Sequence, residues 1–203
     1  MAERAHPHDK GFQNTFFGLI NNPYRKALFE RYSYCNEYII QKEVIDVPCG
    51  TGWGTSLLKN ARNIIGIDID QDSIDFAKNM YGSDKLKFEV GNMKKLNLAD
   101  NICDVLICLE GFEHVTQQTG QEFLIETKRV LRDNGIFIMT CPIIKKGGLH
   151  SGNPHHIYEY PEEELLKILN DNFYCMRIEE IENPDNPIIR FIGKTVKYYI
   201  WKN

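Results

Sequence analysis

The stretch Glu110-Gly111-Phe112-Glu113-His114 puts two carboxylates and an imidazole within five residues. If a helical turn opens at Glu110, the three titratable groups stand at i, i+3 and i+4 and share one face. A second stretch, Asn153-Pro154-His155-His156-Ile157-Tyr158-Glu159-Tyr160, adds an imidazole pair before a helix start. Glu110, Glu113, His114 and one imidazole of that pair, His156 by the resemblance given below, are the candidate catalytic residues. Two chemistries compete for them. All four could ligate a divalent metal, and a mixed oxygen–nitrogen set suits manganese, iron, cobalt or zinc better than magnesium. Alternatively His114 is a general base oriented by Glu113, with no metal. The plainer reading makes Glu113–His114 a structural ion pair and leaves His150, His155 and His156 as loop residues.

A second group of residues suits a ligand rather than a proton. Asp46-Val47-Pro48-Cys49-Gly50-Thr51-Gly52-Trp53-Gly54 leaves an apolar run, turns tightly and enters a helical pattern. Glycines there let a ligand approach the backbone, and a helix start offers unpaired N–H groups. Eighteen residues past Gly50 stands Asp68, a carboxylate able to accept from both hydroxyls of a ribose. The same geometry fits a dinucleotide. That fingerprint, G-x-G-x-x-G, needs glycine at position 55, where this chain has Thr55.

Short apolar runs alternating with helical patterns must position these groups, the signature of a parallel sheet with crossover helices. Strands are expected at Val44–Val47, Ile64–Ile69, Leu86–Val90, Ile102–Leu109 and Ile136–Thr140. Phe173–Ile181 and Thr195–Trp201 are expected as the last two. Helices are expected over Trp53–Asn60, from about Asp72 with Asp70 or Asp72 as cap, over Gln118–Leu131, and from Pro161. Asn134–Gly135 is the expected stop of the third. Residues 1–40, with an expected helix from Pro23 to Ile40 and many aromatic rings, read as an N-terminal helical cap segment on a domain over 41–203. Those rings suit packing against the sheet more than covering a cleft.

Composition narrows the function classes. The chain has 203 residues, 42% hydrophobic and 26% charged, which suits one globular core. A net charge of −4 and a pI near 5.9 argue against a nucleic-acid-binding body. Glu3, Arg4, His8 and Asp9 interrupt any apolar leader, and no stretch is long and apolar enough to span a bilayer. The six cysteines form no C-x-x-C pair, and Cys103, Cys108 and Cys141 fall in apolar runs as small buried hydrophobes. A cytoplasmic protein with reduced thiols is expected. Oligomeric state is not legible.

The ordered motifs resemble those of class I S-adenosylmethionine-dependent methyltransferases. Asp46 to Gly52 resembles that family's first motif, with Pro48 where a glycine is usual, and Ile65-Gly66-Ile67-Asp68 resembles its ribose-binding motif. Gly91-Asn92-Met93 resembles the adenine loop, with Asn92 in place of the usual Asp. Cys108 to Val115 and Val130 to Gly135 resemble the fourth-strand motif and the helix end before strand five. The resemblance implies a doubly wound α/β, Rossmann-like sheet of seven strands in the order 3-2-1-4-5-7-6, the last antiparallel. It implies S-adenosylmethionine held by Asp46, Pro48, Cys49, Gly50, Gly52, Asp68, Ile69, Asn92, Met93 and Leu109. Ubiquinone-pathway O-methyltransferases and small-RNA 2′-O-methyltransferases carry a similar Glu-x-x-Glu-His element. His156-Ile157-Tyr158-Glu159-Tyr160 resembles the H-x-F-E-W segment of the latter, and sugar methyltransferases often show a similar N-P-x-H segment. The expected reaction is O-methylation of a small-molecule or glycan-precursor hydroxyl. The alternatives are RNA ribose 2′-O-methylation and a non-catalytic cofactor-binding protein.

Overall fold

The computed structural model describes residues 23–144, 153–181 and 188–195. Helix α1 (Pro23–Cys35) comes first, with proline at the first helical position, where a missing N–H costs nothing. It ends at Cys35 rather than Ile40. Asn36 draws the chain away there by donating its amide to Leu57 O at 3.1 Å. Strands β1 (Glu43–Asp46), β2 (Asn63–Asp68), β3 (Leu86–Val90), β4 (Cys103–Leu109) and β5 (Leu131–Ile144) follow. Helix α2 (Gln71–Tyr81) lies between β2 and β3, capped by Asp70, which accepts from Ser73 N–H. Helix α3 (Gln117–Val130) joins β4 to β5. A two-residue strand β6 (Tyr160–Pro161), helix α4 (Glu162–Asn172), β7 (Tyr174–Ile181) and β8 (Ile188–Lys194) complete the order.

The sheet runs β3-β2-β1-β4-β5-β8-β7, with β6 paired to β5 off that path. The first five strands are parallel; β8 is antiparallel to both β5 and β7. Leaving out β6, this is the expected seven-strand order. Both faces are covered, so β4 reads as an almost unbroken apolar run, Val105 to Leu109, rather than an alternation. On one face Leu106, Phe137 and Met139 pack with Phe123, Leu124, Leu165 and Leu169 from α3 and α4. On the other, Val44, Val105, Ile107 and Ile138 pack with Tyr32 and Cys35 of α1. All six cysteines are free, five of them buried.

Two expected elements differ. The helix over Trp53–Asn60 is a single 3-10 turn, Thr55–Leu57, because Leu58 leaves helical space at ψ 70° and Thr55 turns its hydroxyl inward. Helix α3 stops at Val130, and Leu131 already begins β5. Asn134 and Gly135 lie instead in an irregular stretch of β5, where Asn134 takes a φ of 60° and the pairing with β4 shifts register. The last strand among the described residues is Ile188–Lys194. Thr195 ends it, and the rest of the expected strand lies outside the described residues. No described helix is long and apolar enough to cross a membrane.

Candidate functional site

The carboxyl ends of β1, β2 and β4 open onto a cavity of about 420 Å³. This is the edge of a parallel sheet where the strand order reverses, the usual place for a ligand in such folds. Pro48, Cys49, Gly50, Asp68, Ile69, Met93 and Leu109, seven of the expected cofactor residues, line it. Gly50 has a φ of +53°, and a Cβ built there would meet nothing within 4 Å, so the backbone faces open space that a side chain would fill. Asp68 is 3% exposed; its Oδ2 accepts from Gly50 N–H at 2.8 Å and its Oδ1 from Asp70 N–H at 3.0 Å. Those bonds fix the carboxylate at the cavity wall and tie the glycine turn to β2. A carboxylate offers about four acceptor positions, the chemistry that ribose hydroxyls need. Loop, carboxylate and the apolar Ile69, Met93 and Leu109 together fit an adenosine.

The other three expected cofactor residues stand behind this wall. Gly52, at φ +77°, lies where a Cβ would come within 2.7 Å of Ala77 and Phe88, so it serves packing against α2 and β3. Asn92 is exposed and spends its side-chain carbonyl on Lys94 N–H at 2.9 Å, shaping the loop that presents Met93. Asp46 is wholly buried. Its Oδ2 accepts from Tyr32 OH at 3.0 Å and Thr55 Oγ1 at 2.6 Å, while Oδ1 has no partner among the described residues. It therefore holds α1 and the glycine turn together from below and does not line the cavity.

Burial, opposed by those two hydroxyl bonds, raises the Asp46 carboxyl from 3.8 to about 7. The folded chain thus keeps a proton that the unfolded chain releases, and stability linked to it is complete below the ordinary carboxylate range. That stability is lost as pH rises through about 7. Asp46→Asn imitates the protonated acid. Urea unfolding at pH 5 and pH 8 should show the wild type losing stability relative to the variant by on the order of 2–4 kcal/mol. Parallel curves for the two proteins would overturn this account of Asp46.

On the acceptor side, the chain leaves β4 through Glu110, whose φ of +51° is uncommon for any residue but glycine or asparagine. The turn that follows spans Phe112–His114, so Glu110 precedes it and does not share its face. Glu110 instead faces Arg31 of α1, Oε2 to Nη1 at 3.5 Å, and its Oε1 is buried without a partner among the described residues. Of the expected four groups the structure brings three together. Ligating atoms of Glu113, His114 and His156 lie within 4.8 Å of one another.

Glu113 is 1% exposed, and burial, then the nearby Glu110, drives its carboxyl well above the usual range. Its Oε2 has no hydrogen-bond partner among the described residues. Its main-chain carbonyl accepts from Ile157 N–H at 2.9 Å and Tyr158 N–H at 3.2 Å, which fastens the histidine loop to the turn. His114 lines the cavity, and its Nδ1 lies 3.0 Å from His155 O. A carbonyl only accepts, so a proton sits on Nδ1, and in the neutral ring the lone pair is on Nε2. The His155 carbonyl thus orients His114; Glu113 Oε1 stands 4.0 Å from Nε2, too far for the expected hydrogen bond. His156 packs edge-on against His114, with ring centroids 5.1 Å apart.

Several participants were not among the expected site residues. Arg31 sits on the stripe of α1 that carries Leu28, Tyr32 and Cys35, a helical spacing that marks it as inward-facing. Tyr32 and Trp53 line the cavity, and Thr55 holds Asp46. No local pattern in the sequence singles out Thr55.

Comparison with known proteins agrees with this geometry. Residues 45–139 match the family model described as a methyltransferase domain. A probable S-adenosylmethionine-dependent methyltransferase of Mycolicibacterium smegmatis is 30% identical over 132 residues, covering 63% of this chain and 50% of that protein. A ubiquinone biosynthesis O-methyltransferase of Rickettsia canadensis is 30% identical over 131 residues, 61% of this chain and 54% of that protein. The chain spans about half the length of these curated relatives. The crystal structure of the 4+2 cyclase SpnF superposes with a TM-score of 0.72 at 17% identity, over 85% of this chain and 82% of that one. That likeness is one of fold, and it is shared with a protein named for a cyclisation, so the site and not the fold must decide the reaction.

Proposed function

We propose, from the premise that this chain is built on a class I S-adenosylmethionine-dependent methyltransferase domain, that it methylates a hydroxyl of a small molecule. The observation that carries this reading is His114. Its imidazole lines the same cavity as Asp68 and Gly50, with the lone pair on Nε2. When bound, S-adenosylmethionine supplies a methyl group on a positively charged sulfur, open to in-line displacement. Asp68 and the Gly50 turn would hold its ribose, and Ile69, Met93 and Leu109 its base. The protein's remaining work is to align the acceptor and accept its proton. His114 Nε2 takes the proton of the acceptor hydroxyl, and the Arg31 guanidinium holds Glu110 at the rim of the site. Leu28, Trp53, Val115 and Ile157 line the cavity as an apolar surface suited to the flat face of a ring, such as a sugar or its precursor.

A second reading gives Glu113, His114 and His156 a divalent cation, which would lower the acceptor's pKa in place of a base. The convergence of their ligating atoms and the unpartnered buried Glu113 Oε2 favour it. Glu110, engaged with Arg31, is not part of that set.

The reading is tested by incubating the protein with methyl-labelled S-adenosylmethionine and a small-molecule metabolite extract, then identifying labelled products by mass spectrometry. A labelled compound whose label sits on oxygen is expected. Total RNA in parallel should stay unlabelled, and NAD should not bind with comparable affinity. Label on RNA alone, tight NAD binding, or no label at all would overturn it.

A further inference from the structure

The loop from Asn153 to Glu159 contains a chain of hydrogen bonds in which each partner settles the next. His155 N–H donates to Asn153 Oδ1 at 2.9 Å, which fixes which end of that amide is oxygen. Asn153 Nδ2 is then the atom 3.1 Å from His156 Nε2, and an amide nitrogen can only donate. His156 Nε2 must accept, so its proton lies on Nδ1. That nitrogen faces Glu159 Oε1 at 2.5 Å, and the Glu159 side chain is 2% exposed. In the neutral ring one tautomer is thus specified from both ends. His114 has the same tautomer by a separate route, through the His155 carbonyl. Two imidazoles 5.1 Å apart thus carry their lone pairs on the same nitrogen, Nε2, beside Glu113.

We propose that Glu159 is a positioning residue for the reaction: it holds His156 in the Nδ1–H tautomer and so fixes the ring that packs edge-on against His114. The proposal rests on the reading of His114 and His156 as acceptor-side groups. Glu159 itself does not line the cavity and does not touch the reacting atoms. Partners of this kind fix ring orientation, and their loss ordinarily costs more in rate than in cofactor binding.

The experiment compares wild type, Glu159→Gln and Glu159→Leu, each with 15N-labelled histidine. Nuclear magnetic resonance reads the tautomer of each ring from its nitrogen shifts and couplings. Wild-type His156 is expected as the Nδ1–H form. Glu159→Gln, whose carbonyl still accepts, should keep it, and Glu159→Leu, where only Asn153 specifies the ring, should shift it to a mixture of forms. His114 should remain Nδ1–H throughout, which shows that the loop and turn are still folded. Methyl transfer at saturating S-adenosylmethionine, measured on the labelled metabolite extract, should fall roughly 10- to 100-fold in the leucine variant and recover largely in the glutamine variant. Calorimetry with S-adenosylmethionine should give similar affinity for all three. A wild-type His156 protonated on Nε2, or a leucine variant with an unchanged tautomer or unchanged rate, would overturn the proposal. If no form of the protein transfers label, the methyltransferase reading fails, while the tautomer measurement still decides what Glu159 does to His156.

Discussion

Replacing His114 by alanine is expected to lower methyl transfer by roughly 100- to 10,000-fold, the range of a positioned general base, with cofactor affinity nearly unchanged. His114 is the one member of the Glu113–His114–His156 group that lines the cavity, and the His155 carbonyl at 3.0 Å turns its basic nitrogen outward. If it acts alone, chelators leave the rate unchanged, and Glu113→Gln and His156→Ala are milder than His114→Ala. If the three residues hold a cation, chelation abolishes transfer, added manganese or cobalt restores it, and loss of any of the three is as severe as the others. Rates for His114→Ala within about threefold of wild type would remove His114 from the chemistry under both readings.

Asp68→Ala is expected to weaken S-adenosylmethionine binding by about 1.5–3 kcal/mol, or roughly 10- to 150-fold in Kd. The larger end is favoured because the carboxylate does two things at once. It presents acceptors to the ribose and, through Gly50 N–H at 2.8 Å, holds the turn that cradles the ligand. Isothermal calorimetry measures the loss. Thermal denaturation without cofactor separates the tether from the contact, since a change confined to the loop leaves the melting temperature within a few degrees. Unchanged affinity would show that the ribose is bound elsewhere.

The sheet was legible because its cues are dense. The first two strands are short β-branched runs, and Asp46, Gly50, Gly52 and Asp68 punctuate them at fixed intervals. What sequence missed were choices made by tertiary partners. Trp53–Asn60 carries a helical pattern, yet Thr55 spends its hydroxyl on Asp46 and Asn36 takes the Leu57 carbonyl, so only one turn forms. Ile188–Lys194 and Thr195–Trp201 are both β-branched, aromatic runs. Pairing Ile181 with Ile188 and Pro142 with Ile188 puts a strand at Ile188–Lys194, and no local signal reports that register. At the site, grouping Glu110 with Glu113 and His114 assumed one continuous helical turn. The left-handed backbone at Glu110 breaks that assumption and sends its carboxylate to Arg31. Arg31, seventy-nine positions earlier in the chain, could not be paired with it by spacing alone.

Glu113 meets the histidine loop through its main chain, with one carbonyl oxygen receiving both Ile157 and Tyr158 N–H. Every amino acid brings that carbonyl, so this joint between the two halves of the acceptor site is indifferent to the side chain at 113. The scaffold and the reactivity are thereby inherited separately. A lineage could exchange the acid at 113 for a neutral residue and alter what the pocket does to its substrate, while the loop stays docked by the same two amide bonds.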